Sequence, residues 1–111
     1  MKKSLGEIVS EALGQEIGYQ VEGKLEELLE KVSSDMAETK LKAEIHDFRP
    51  LSYCANVPSG QRQFADMLVK AGLLYKEATH LYGITINGRA CLFDIWVDRA
   101  HNRHGYRQYL T

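Results

Sequence analysis

At 111 residues the chain is long enough for one hydrophobic core and too short for two. Apolar residues make up 44% and charged residues 26%, which excludes disorder throughout, and no apolar run approaches the ~18 residues of a membrane-spanning helix. The net charge of −1 hides a division: residues 1–47 carry six Lys and Arg against eleven Asp and Glu, a net −5, while residues 48–111 carry eight against four, a net +4. Such asymmetry can steer a charged partner to one face.

The N-terminus, Met-Lys-Lys-Ser-Leu-Gly-Glu, passes into charged amphipathic sequence and not into an apolar signal core, so a cytoplasmic protein is expected. Ser4 and Glu7 form a Ser-x-x-Glu capping box, and Leu5, Ile8, Val9, Ala12 and Leu13 follow at spacings of three and four. This predicts a first helix from Leu5 to about Gln15. A second helix is predicted from Gln20 to Val32, with Val21, Leu25, Leu28, Leu29 and Val32 as its apolar stripe and Glu22, Glu26, Glu27 and Glu30 on the other faces. Ser33-Ser34-Asp35 offers a stop or a new cap.

From Thr39 to Phe48 two patterns compete. Leu41, Ala43 and Ile45 alternate as in a strand, while Ala37, Leu41, Ile45 and Phe48 fit one helix face. The strand is preferred, because a lone two-stranded hairpin is marginal in water and a third strand would complete a sheet. Arg49 to Gly60 then reads as an extended loop, restricted by Pro50 and Pro58 and containing Tyr53 and Cys54. Ser59 can cap a third helix carrying Phe64, Met67, Leu68 and Ala71, closed by Gly72.

A hairpin is predicted over residues 80–97. Asn87-Gly88 suits the two positive-φ positions of a type I′ turn, and the flanking runs His80 to Ile86 and Arg89 to Val97 are rich in strand formers. On the second strand Cys91, Phe93, Ile95 and Val97 would share one face, with Ala90, Leu92, Asp94 and Trp96 on the other. Residues 98–111 form a basic, aromatic tail. The expected architecture is a small single α+β domain over 1–111, about three helices on a two- or three-stranded antiparallel sheet ending in this hairpin. Leu25, Leu28, Val32, Phe64, Leu68, Ile84, Ile86, Phe93 and Ile95 are the expected core.

No phosphate loop, dinucleotide fingerprint, nucleophile elbow or His-Glu-x-x-His motif is present, so no enzymatic activity and no cofactor are expected. Cys54 and Cys91 match no paired spacing and are expected as reduced thiols. Cys54 could serve as a nucleophile only if the fold brought His46, His80 or His101 beside it. Asp98, His101 and His104 are weak metal-ligand candidates; Asp94 would join them on a helix face, which the strand reading breaks.

Two binding classes remain. Arg89, Arg99, Arg103 and Arg107, with neighbouring aromatics, have the chemistry of a nucleic-acid surface, and the order of elements resembles a winged helix-turn-helix. Against that, residues 59–80 have room for one good helix and not clearly two. The preferred expectation is a small binding protein, an adaptor, regulator or inhibitor, whose partner is another protein or a second copy of itself. Its contacts would be Trp96, Arg99, Arg103, Tyr106 and Tyr109, since Trp, Tyr and Arg dominate interface energetics.

Overall fold

The capping box at Ser4 is used: its side chain accepts the Glu7 N–H at 3.2 Å, and Gly14 closes the helix in the left-handed conformation with φ 71°. This is α1, Leu5–Leu13. In this computed structural model residues 3–47, 49–50 and 52–110 are described, with the backbone alone for 102–110. The elements that follow are α2 (Tyr19–His46), β1 (Ala55–Asn56), a short 3-10 turn (Ser59–Gln61) running straight into α3 (Arg62–Lys70), β2 (Leu74–Ala78), β3 (Leu81–Ile84) and α4 (Ile86–Leu110). Among the described residues this makes a small α+β domain of four α-helices and a three-stranded antiparallel sheet ordered β1-β3-β2.

The helix α2 does not stop at Ser33-Ser34-Asp35 and takes in most of the segment expected as a strand, ending at His46. Neither Gly nor Pro interrupts residues 33–46, and Ala, Glu, Lys and Leu there are strong helix formers. Thr39, the residue least suited to a helix, turns its hydroxyl back onto the Asp35 carbonyl at 2.9 Å. The third strand comes instead from the long loop, where Ala55 pairs with Tyr82 and Asn56 with Leu81.

The predicted C-terminal hairpin is replaced by two different things. The hairpin of this fold is β2–β3, with Leu74 opposite Ile84 and Tyr75 opposite Gly83, and everything from Ile86 onward, the supposed tail included, is helix to Leu110. Thr85 decides this locally. Its hydroxyl accepts the Gly88 N–H at 2.9 Å and donates to the Gly72 carbonyl at 2.7 Å, while its own carbonyl accepts from Arg89 N–H at 2.9 Å. Three groups at a helix start are thereby satisfied. Gly88 is special for a reason other than a turn: a Cβ there would run into the Leu73 carbonyl, so the glycine lets α4 start hard against the chain entering β2.

One core cluster joins the elements: Leu5 and Val9 from α1, Leu25, Leu28, Leu29 and Val32 from α2, Ala65 and Leu68 from α3, Leu74, Tyr82 and Ile84 from the sheet, Cys91 and Leu92 from α4. Leu25, Leu28, Val32, Leu68 and Ile84 are buried as expected, and Phe64 and Ile95 pack partly against the cluster. Ile86 and Phe93 are not core: they are 87% and 62% exposed. Both follow from the change of period, since a helix turns residue 93 away from the side that buries 91 and 92. No described helix is long and apolar enough to cross a membrane.

Tyr82, fully buried on the central strand, donates its phenol hydrogen to Asp66 on α3 at 2.6 Å and so ties sheet to helix. Burial first, and then the Asp66 carboxylate, pushes the phenol pKa up. The neutral phenol therefore favours the folded chain. Its contribution is whole below the ordinary value near ~10 and is lost as pH rises through the higher folded value. Thermal stability should fall more steeply above about pH 10 in the wild type than in Tyr82→Phe, and matching alkaline profiles would contradict this. At the start of α4, Gly88→Ala is expected to destabilise by about 1–3 kcal/mol through the clash with Leu73, against the usual gain of such a change in a helix. The exposed Asn87→Ala should move stability by less than about 0.5 kcal/mol, whereas a type I′ turn would need Asn87. Chemical denaturation of both variants checks the pair.

Candidate functional site

Two helices run antiparallel to form the walls of the most conspicuous surface feature. Met36 of α2 lies at the end of β3, just before α4, where its Sδ accepts the Ile84 N–H at 3.2 Å. Earlier on α2, Glu30 receives the Trp96 indole N–H at 3.2 Å and Arg99 at 2.8 Å, and Arg99 also pairs with Glu26. Just above these ties the walls part into a groove of about 870 Å³. Ser33, Met36, Ala37 and Lys40 line it from α2, and Arg89, Leu92, Phe93 and Trp96 from α4. Each set falls at i, i+3, i+4 and i+7, the spacing that gathers side chains on one helix face.

The floor and far end are Tyr53 and Tyr75. Tyr75 stands on β2 directly opposite Gly83 of β3, and a Cβ on Gly83 would collide with the tyrosine ring. The glycine thus lets the ring lie across the sheet, and its hydroxyl reaches the Cys54 thiol at 3.6 Å. Beside it, Ser52 donates to Glu77 at 2.5 Å and accepts the Cys54 N–H at 2.9 Å, which holds the loop before β1 against β2.

Four aromatic rings in this groove are well exposed: Tyr53 and Tyr75 at 43%, Trp96 at 50% and Phe93 at 62%. Among the described residues, the lining holds two cations, Lys40 and Arg89, and no carboxylate. Neither cation forms a salt bridge with a described residue, in contrast to Arg99, Lys42, Lys76 and Lys3. Leu41 and Ile45, 56% and 66% exposed, continue the row begun by Ala37 along α2 at steps of four residues.

The residues singled out from sequence are distributed as follows. Trp96 and Arg89 line the groove, and Arg99 is held at its side by Glu26 and Glu30. Arg103, Tyr106, Arg107, Tyr109 and His104 lie on the α4 helix, but their side chains fall outside the described residues. Asp94, Asp98 and His101 do come to share a helix spacing of four and three, as the strand reading did not allow. Among the described residues, no three His, Cys, Asp or Glu side chains gather as a metal site would require. Sequence reasoning passed over Met36, Ala37, Lys40, Leu41 and Tyr75; an unbroken helix through residues 33–46 was the signal that would have found the first four.

The β2–β3 hairpin occupies the place of a wing, but one α-helix, α3, lies between β1 and β2 where a helix-turn-helix needs two. Two polar groups of α3, opposite in sign, are engaged. Arg62 donates to the Val57 carbonyl at 3.2 Å, and Asp66 takes Tyr82 and, at 3.6 Å, Lys76. Compared with protein-family models, curated proteins and solved structures, the chain matches none of them. The fold and groove define a class by themselves: a small α+β domain with an aromatic, cation-edged cleft between two antiparallel helices.

Burial, with the neighbouring Glu77 carboxylate, pushes the Cys54 thiol up, the opposite of what activates a nucleophile. Alkylation of Cys54 by iodoacetamide should therefore show its inflection above the ordinary ~8.5, and the buried Cys91 should react only on unfolding. An inflection below about pH 7 would return Cys54 to candidacy as a nucleophile.

Proposed function

We propose that this protein is a non-enzymatic binding protein, an adaptor, regulator or inhibitor, that takes a segment of another protein into the α2/α4 groove. The observation that carries the reading is the grouping of Tyr53, Tyr75, Phe93 and Trp96, all well exposed, around an apolar cleft. Exposed apolar residues are ordinary when scattered and informative when contiguous. Aromatic residues in a concave surface are what interface anchors are made of. Of the contact residues expected from sequence, Trp96 stays central to this reading. Arg99 becomes a brace, since its guanidinium is already occupied by two glutamates.

A second reading is favoured by the same lining, because aromatic rings beside Lys40 and Arg89 are also the chemistry that stacks the bases of a single strand. It is the weaker of the two. Leu41 and Ile45, exposed along the same row of α2, offer bases nothing to stack on. Among the four arginines of this reading, Arg99 is neutralised and Arg89 alone is known to face the groove.

Phe93→Asp tests the first reading without touching the core, because the ring is mostly exposed. Used as baits in extracts of the source cells, the wild type and an Ile86→Asp control, altered at an exposed residue outside the groove, should retain a protein that Phe93→Asp loses. Equal capture by all three would remove the groove from the function. In the same format, a labelled single-stranded oligonucleotide should bind negligibly at low salt. Strong binding that falls steeply with salt, with a log–log slope of about −0.7 per phosphate contact, would favour the second reading.

A further inference from the structure

We infer that the occupant of the groove is an acidic amphipathic helix, apolar and aromatic on one face and flanked by carboxylates. This rests on the reading that the groove binds protein, and it fixes the chemistry of the partner.

Charge decides first. Lys40 on one wall and Arg89 on the other edge a cleft that contains no carboxylate, and neither is paired with a described residue. A segment laid between them meets a cation on each side, so flanking carboxylates gain two partners and flanking lysines meet two like charges in a partly desolvated site. Of the α2 carboxylates, Glu26 and Glu30 are committed to Arg99 and Trp96, and Glu38 to Lys42.

The shape favours a helix over an extended strand. Both walls are helices presenting the same i, i+3, i+4, i+7 rows, and a third helix lying between two antiparallel helices packs its own i, i+4 ridges into such rows. Ala37, Leu41 and Ile45 lengthen one wall in steps of four residues, about 6 Å each, which suits apolar anchors repeating at the same interval.

The same charges argue against a second copy of this chain. A two-fold interface sets one patch against itself, and here that would bring four cations and no anion into one apolar contact.

The test uses three Trp-free peptides of about 18 residues with one shared Leu/Phe stripe and polar positions filled by Glu, Gln or Lys. Binding is read from the fluorescence of Trp96, the sole tryptophan of the chain. The Glu peptide should bind about tenfold or more tighter than the Gln peptide, and the Lys peptide weakest. In the double variant Lys40→Glu, Arg89→Glu the order should reverse, an outcome that a folding defect cannot produce. Equal affinities, a preference for Lys, or an unreversed order overturns the acidic partner, while Gln-peptide binding leaves the groove reading standing. Binding by none of the three also overturns it, and the separate Phe93→Asp comparison then says whether the groove reading falls too. A mass that rises with protein concentration and drops in Phe93→Asp overturns it in favour of a second copy.

Discussion

The fold depends on one helix serving four neighbours at once. Along α2, Leu25, Leu28, Leu29 and Val32 close the core against α1, α3 and the sheet. Glu26 and Glu30, between them in sequence, hold α4 by its Trp96 and Arg99. Ser33, Met36, Ala37 and Lys40 then form a wall of the groove. At about 1.5 Å per residue the 28 residues of α2 run for roughly 42 Å, longer than the core needs. Beyond Val32 only Ala43 is buried, and Met36 packs partly against the core; local terms add support to the last three turns: helix propensity, the Thr39 back-bond and the Glu38–Lys42 pair at 2.9 Å. Exposed pairs of that kind are worth about 0.3–0.5 kcal/mol.

Electrostatics and packing meet on the other wall. The acidic front and basic rear of the sequence are partly cancelled inside the molecule, since Arg99 of the basic half lies across two glutamates of the acidic half. The attraction does little for stability at such exposure, because solvent screens it. It does fix where α4 lies, and with it the indole of Trp96, which shares Glu30 with Arg99. What remains uncancelled at the groove is Lys40 and Arg89. The charge asymmetry is therefore local in effect, and its local form is a cation on each lip of a cleft.

Much of this was legible in the sequence, and the failures have a common physical cause. The capping box, the α2 stripe, α3 and the core residues Leu25, Leu28, Val32, Leu68 and Ile84 follow from helical spacing and apolar character alone. The errors fall where two periods fit the same letters. Cys91, Phe93, Ile95 and Val97 alternate as a strand, but Cys91, Leu92 and Ile95 equally make a helix face, and Thr85 resolves the choice through a local bond to Gly88 and a bond to Gly72 that lies across a tertiary contact. Gly88 was visible as a constrained position, but the constraint is the Leu73 carbonyl and not a positive φ. The groove combines residues from α2, the loop before β1, β2 and α4, so Trp96 could be nominated singly while Tyr75, Met36 and Lys40 could not be placed beside it.

The contrast between scattered and gathered exposure is what makes the groove more than a surface irregularity. Among the described residues, Tyr19 and Ile86 are the most exposed large apolar side chains, at 93% and 87%, and neither lines the groove; single cases of that sort need no explanation. Tyr53, Tyr75, Phe93 and Trp96 are individually less exposed, yet structural devices hold two of them in place. Gly83 leaves room for the Tyr75 ring, with Cys54 at its hydroxyl, and Glu30 anchors the Trp96 indole. Rings positioned in this way would lose little further rotamer freedom in the proposed complex, and such pre-organisation, more than area, converts contact into affinity.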